Sequence, residues 1–250
     1  MTTGNTIQWR VADRTTSFRW GYVGDDVVAE WEGLLTLQAT ADGELKDMRP
    51  APGIDAEHAE KALGIATAFL RALRNEHSLH ASSVSRCGRA VVCVGPSGQG
   101  KSTIAERMCH RQGVELLGDD VTGVRVDSEI LALPAETLLW IAAEDSAHKA
   151  AVRAKAIAHG PATLAAIVSL VFHEASREVA SVRLEGILAF TELLPSLIRF
   201  ETTSAVWERE LDFLSTLVHR VPVFRVTRSH DASPDAVADH ILGLLEESED

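Results

Sequence analysis

The sequence predicts an α/β fold with a small β-rich module at its N-terminus. Three observations predict it. An apolar run, Val91-Val92-Cys93-Val94, leads into Gly95-Pro96-Ser97-Gly98-Gln99-Gly100-Lys101-Ser102 and then into a helical pattern. Beyond that point strand-like and helix-like segments follow one another to the end of the chain. Before it, short alternating runs carry three of the five tryptophans, Trp9, Trp20 and Trp31, within the first 40 residues.

The elements follow in order. Ile7–Val11, Ser17–Val23 and Val27–Leu37 alternate as antiparallel strands joined by polar turns. Their tryptophans imply a small core belonging to this module, residues 1–54. Arg49-Pro50-Ala51-Pro52-Gly53 is a turn or linker. A helix is predicted over about 55–75, because Ile65, Phe69 and Leu73 recur at helical spacing. It serves as a connecting segment, 55–78, to a third unit, 79–250.

That unit opens with two strands, Ala81–Ser85 and Ala90–Val94, around a Cys87-Gly88 turn. A helix follows from Lys101 to about Gln112, then a short strand at Glu115–Leu117 and the acidic pair Asp119-Asp120. Val121–Val126 and Ile130–Leu133 form a hairpin. A helix is expected over Glu144–Ala158, ended by Gly160-Pro161. Leu164–Phe172 and Val179–Leu184 are strands. Ser204–His219 is a helix, Val221–Val226 a strand and Pro234–Glu247 a closing helix with Ser233 as N-cap.

Composition narrows the function. The 250 residues are 46% hydrophobic, enough for a sizeable core, and the formal net charge is −12. That charge argues against nucleic acid or an anionic membrane as a partner, because phosphates would be repelled. Three cysteines without a CxxC pair argue against a disulfide framework or a zinc site and fit a reducing, cytoplasmic setting. The first ten residues are polar and carry no secretion signal, and no apolar run reaches the length of a membrane span.

Gly95–Ser102 has the chemistry of a P-loop that binds a nucleoside triphosphate, ATP with Mg2+. Gly95, Gly98 and Gly100 permit conformations that other residues resist and allow close approach to phosphate. The N–H groups of Ser97, Gln99, Lys101, Ser102 and Thr103, beyond Pro96, then converge on an anion, aided by the N-terminus of the helix. Lys101 reaches the β- and γ-phosphates, and Ser102 offers a hydroxyl to Mg2+. The wording Gly-Pro-Ser-Gly-x-Gly-Lys-Ser-Thr is also that of transporter ATPases, but their Leu-Ser-Gly-Gly-Gln-type signature does not occur here. His173-Glu174, at the end of a strand, matches their strand-acid pattern only superficially.

Asp119-Asp120 lies much closer. One helix and one short strand separate it from Lys101, so two adjacent strands would bring both to one sheet edge. His80-Ala81-Ser82, Gly95–Ser102 and Leu117-Gly118-Asp119-Asp120 together resemble the C-terminal domain of HPr kinase/phosphorylase and, more distantly, the phosphoenolpyruvate carboxykinases. The similarity is strongest over about 79–126. A weaker one reaches the end of the chain, where 211–228 looks like the tail of HPr-kinase-like proteins found beside peptide-modification genes. Some of those phosphorylate the C-terminal serine of a lasso-peptide precursor. The Glu-x-Arg-Gly-x-Gly segment of HPr kinases is not found after the acid pair, and the β-module differs from their sensor domain.

The resemblance implies an ATP-dependent serine-type kinase with a P-loop core of the HPr kinase/phosphoenolpyruvate carboxykinase type. Its acceptor would be a hydroxyl of a peptide or protein. It makes Asp119 the candidate base and Asp120, with Ser102, the Mg2+ partner, roles that could be exchanged. His80 would bind a phosphate oxygen or orient an aspartate. Phosphoryl transfer also calls for a second cation, for which Arg153, Lys155 and Arg199 are candidates, although each reads first as a solvated surface charge; Trp140 is a candidate pocket wall that reads first as core packing. The alternative is a non-catalytic ATP-binding module that organises a biosynthetic partner. An exposed strand edge on the β-module would allow pairing into a homo-oligomer.

Overall fold

The computed structural model describes residues 7–11, 14–135, 138–142, 149–173 and 178–247. The N-terminal strands are β1 (Ile7–Val11), β2 (Arg14–Val23), β3 (Asp26–Trp31), β4 (Leu35–Thr40) and β5 (Leu45–Pro50). They form one antiparallel meander in chain order. Alternation sends Val27, Ala29 and Trp31 of β3 and Leu35, Leu37 and Ala39 of β4 to one buried face. A single sheet must have that face covered.

The cover is helix α1 (Ala56–Leu73), which begins where the Asp55 carboxylate accepts the His58 N–H at 2.9 Å. Ala62, Ile65, Ala66 and Phe69 pack on the sheet. The Phe69 ring meets Phe18, Trp31 and Phe200 edge-on, with centroids 5.5, 5.8 and 5.2 Å away. Each buried aromatic here stabilises by about 1.5–3 kcal/mol. This corrects the expectation of a self-contained core in 1–54. The core is completed by α1 and by Val121 and Phe200 from the rest of the chain.

The remaining elements are β6 (His77–Leu79), β7 (Ser82–Arg86), β8 (Arg89–Val94), α2 (Lys101–Cys109), β9 (Val114–Gly118), β10 (Thr122–Val126), β11 (Ile130–Leu133), β12 (Leu138–Ala142), β13 (Lys149–Arg153), β14 (Ala162–Phe172), β15 (Ala180–Leu184), α3 (Gly186–Leu193), α4 (Ser204–Arg220), β16 (Val223–Arg228) and α5 (Pro234–Glu247). Nine of these strands build a mixed sheet. Its main path runs β6-β10-β11-β14-β8-β7-β9, and β16 joins β14 and β15. At its centre β8, β14 and β16 run parallel. Val92 and Val94 point into a core shared with α3 and α4, whereas Val91 and Cys93 point into one shared with α2 and α5. The architecture is mixed α/β, with helices on both faces of this sheet.

Two expectations are overturned. Residues 149–153 are a strand paired antiparallel with β12, with Leu138 opposite Arg153, where a helix over 144–158 was expected; residues 143–148 lie outside the described residues. The alanine-rich run suits a helix by composition, but a waiting strand partner overrides that preference. Strands β8 and β9 are not adjacent, because β7 lies between them and pairs antiparallel with both.

All three cysteines are free, and burial pushes the Cys93 and Cys109 thiols up to about 12. Among the described residues no helix is long and apolar enough to cross a membrane.

Candidate functional site

Strand β7 is the ruler on which the site is assembled. Its Ser82 pairs with Cys93 of β8 and its Ser83 with Gly118 of β9. The strands feeding the glycine-rich loop and the acid pair therefore leave the sheet one residue apart along a shared neighbour. Both run antiparallel to β7, so they point the same way. Chain order thus pointed to the right edge through the wrong adjacency.

The loop needs its glycines. Gly95 has φ of 134°, and a Cβ there would stand 2.8 Å from the Leu170 carbonyl oxygen. Gly100 caps α2 in the left-handed region, at φ of 80°, and a Cβ there would stand 2.4 Å from Arg228 Nη2. Between them Pro96, Ser97 and Gly98 form the exposed tip. Lys101 is buried and folds back, donating from Nζ to the carbonyls of Gly95 at 2.8 Å and Pro96 at 3.4 Å. Ser102 is buried beside it, and Thr103 is half-buried on the same first turn.

Two contacts brace the loop from β14 and β16. Arg228 Nη2 donates to the Gln99 carbonyl at 2.9 Å, and Gln99 Oε1 accepts the Phe172 N–H at 2.8 Å. The Arg228 guanidinium lies 4.3 Å from the Phe172 ring centre, and His230 stacks on the same ring at 4.1 Å. Burial pushes the Arg228 pKa down, yet guanidinium stays charged. Its buried Nε has no hydrogen-bond partner among the described residues.

The acid pair is built differently at its two positions. Asp119 is fully buried and accepts a hydrogen bond from Ser82 Oγ at 2.5 Å. Asp120 has φ of 66°, a conformation Asp tolerates better than most residues, and its side chain is 26% exposed. Lys61 of α1, with a side chain 3% exposed, places Nζ 2.8 Å from Asp120 Oδ2 and 3.7 Å from Asp119 Oδ2.

His80 ties the parts together. Its Nδ1 donates to the Asp120 carbonyl at 3.0 Å, and its own N–H donates to the Ser196 carbonyl at 2.6 Å. Burial, then the Lys101 charge, pushes the imidazole below its ordinary range, while Asp120 and Asp119 pull the other way. The neutral ring that results keeps Nε2 as an acceptor. A depressed folded-state pKa means the unfolded chain takes up this proton first. The stability involved is therefore intact above about pH 6.5 and drains away as pH falls below it. The melting temperature is expected to fall between about pH 7 and pH 5.5. The fall should be shallower in His80→Asn, whose amide still donates to Asp120.

The other candidates named from the sequence do not gather here as a group. Arg153 pairs with Glu60 at 3.2 Å, Lys155 is exposed, and Arg199 stacks over Trp207 at 3.6 Å. The cations brought to the loop and the acid pair are Arg228 and Lys61, both absent from the sequence expectation. The side chain of Trp140 and residue Glu174 lie outside the described residues.

No family model and no curated protein matches the chain. Among solved structures it is similar to that of the Hpr(Ser) kinase/phosphatase from Coxiella burnetii, with a TM-score of 0.41 and 12% identity over 69% of this chain and 99% of that one.

The donors present suit the groups a P-loop takes. The glycine-lined cradle, Lys101 and the start of α2 fit a triphosphate. Ser102 offers a hard oxygen atom, which suits Mg2+, whereas the Asp120 carboxylate expected beside it is engaged by Lys61 at 2.8 Å. Among the described residues no group of three or more His, Cys, Asp or Glu could hold a metal ion.

Proposed function

We propose that the protein is an ATP-dependent kinase that transfers the γ-phosphoryl group to a serine-type hydroxyl of a peptide or protein. The observation that carries this reading is the pairing of the glycine-rich loop with a carboxylate pair at one sheet edge. His80 interacts electrostatically with Lys101 on one side and with the acid pair on the other. Phosphoryl transfer needs those two halves together: cations and N–H groups for the phosphates, and a carboxylate that orients the attacking hydroxyl.

In this reading Gly95–Thr103 bind the triphosphate. Lys101 exchanges its loop carbonyls for β- and γ-phosphate oxygens. Bound Mg2+ neutralises phosphate charge, and Ser102 is the residue that would hold it. The burial pattern favours Asp120 over Asp119 as the base. Asp120 is the carboxylate that an entering hydroxyl can reach, so it orients that hydroxyl and accepts its proton. Asp119, sealed beneath it, fixes Lys61 and Ser82. His80, neutral, holds the Asp120 backbone in its left-handed turn. Arg228 clamps the loop through Gln99. Strands β1–β5 and α1 act as one unit, because α1 both completes the N-terminal core and delivers Lys61.

The test is incubation with γ-labelled ATP, Mg2+ and serine peptides, including a lasso-type precursor ending in serine. Label on serine is the expected result. Label that stays on ATP with every acceptor would favour the non-catalytic ATP-binding module, and rapid release as inorganic phosphate would favour an ATPase.

A further inference from the structure

Lys61 stands in an unusual place for a lysine. Its helix is anchored on the N-terminal sheet through Ala62, Ile65, Ala66 and Phe69, and the side chain is 3% exposed. Burying an ammonium is costly unless it is paired. Here the partners are two adjacent carboxylates, at 2.8 and 3.7 Å. Lys61 thus gives the two carboxylates a shared counter-charge.

We propose that Lys61 is the resident cation of the acid pair, standing where a divalent ion would otherwise bridge Asp119 and Asp120. The site then works with the single Mg2+ that arrives with the nucleotide. Lys61 is a positioning residue: its charge offsets that of the pair and its 2.8 Å contact sets the direction of Asp120. Two further contacts tie this arrangement to the N-terminal unit. Val121, which follows the acid pair, is buried in the same core as Phe18, Trp31 and Phe69. Asp120 is thus held from both sides by the unit that carries α1, through Lys61 on its side chain and through Val121 on its backbone. The task of β1–β5 and α1 in this arrangement is to hold this cation in place.

The inference rests on the kinase reading only for the Mg2+ that accompanies ATP; its test uses Mn2+ alone, without nucleotide. Mn2+ binding to the full chain is measured by calorimetry or by the loss of the free-ion magnetic resonance signal. Wild type is expected to show no tight site. Lys61→Met removes the charge but keeps the length, and should bind Mn2+ about tenfold more tightly or better, since a unit charge within 4 Å has at least that effect on a neighbouring ion. Lys61→Arg should behave as wild type, and Lys61→Met with Asp120→Asn should lose the gain. A lysine whose charge does not act on the acid pair would give no such gain. Equal Mn2+ affinity in wild type and Lys61→Met overturns the proposal. So does a tight Mn2+ site on wild type alone, a result that needs no variant to fold. Failure of phosphoryl transfer with these Mn2+ results intact would sink the kinase reading and leave the Lys61 assignment standing.

Discussion

Asp120→Asn is expected to slow phosphoryl transfer about 10²–10⁴-fold, the usual contribution of a positioned proton acceptor, while Mg·ATP still binds. The two effects separate for a structural reason. In the proposed reading the triphosphate would be gripped by Gly95–Ser102 on the β8 side, whereas Asp120 leaves the sheet from β9. Asparagine has nearly the same size and also tolerates the left-handed backbone at φ of 66°. The His80 bond to the Asp120 carbonyl therefore survives, and what disappears is the negative charge. Single-turnover transfer and fluorescent-nucleotide binding, measured on the same sample, distinguish the two losses. Transfer at the wild-type rate would show that Asp120 does not meet the acceptor, and would return that role to Asp119.

Asp119→Ala is expected to act on stability instead, lowering it by about 3 kcal/mol. Asp119 is completely buried and holds Ser82 Oγ at 2.5 Å, with Lys61 Nζ 3.7 Å from its other oxygen. Alanine leaves a buried hydroxyl without its acceptor and takes away one of the lysine's two counter-charges. Asp119→Asn keeps an acceptor for Ser82 and should cost less. The readout is the denaturant midpoint at constant slope. A loss under about 1 kcal/mol for the alanine variant would mean that this buried network is not formed in solution.

How far the sequence carries can be judged from particular residues. The strand, loop and helix of 91–109 were legible because their residue types are dictated locally: glycine where φ is positive or a Cβ would clash, and an apolar strand before them. Asp119, Asp120 and His80 were singled out only through their order along the chain and a family resemblance, and the structure brings them together. Their partners were not singled out. Lys61 reads as one more charge in an alanine-rich helix. Its only signal is position, four residues before Ile65 and eight before Phe69, on the row that turns inward. Arg228 ends a strand predicted to stop at Val226, and nothing in the local pattern shows that the strand passes the loop. The intervening place of β7 is a matter of sheet topology, which chain order leaves open because a strand may pair with any neighbour whose register fits. The expected helix over 144–158 failed for a related reason, since β13 owes its conformation to β12 rather than to its own composition. The expected independence of the N-terminal core failed because Val121 and Phe200 complete it from afar.

The central claim is that the glycine-rich loop and the acid pair are two halves of one phosphoryl-transfer site. A crystal structure with Mg2+ and a non-hydrolysable ATP analogue tests it most directly. The account predicts the β- and γ-phosphates within the loop 95–102, Lys101 released from the Gly95 carbonyl and bonded to them, one Mg2+ on the Ser102 hydroxyl, and the γ-phosphate facing Asp120. A nucleotide bound elsewhere, or one whose γ-phosphate points away from Asp120, would contradict it.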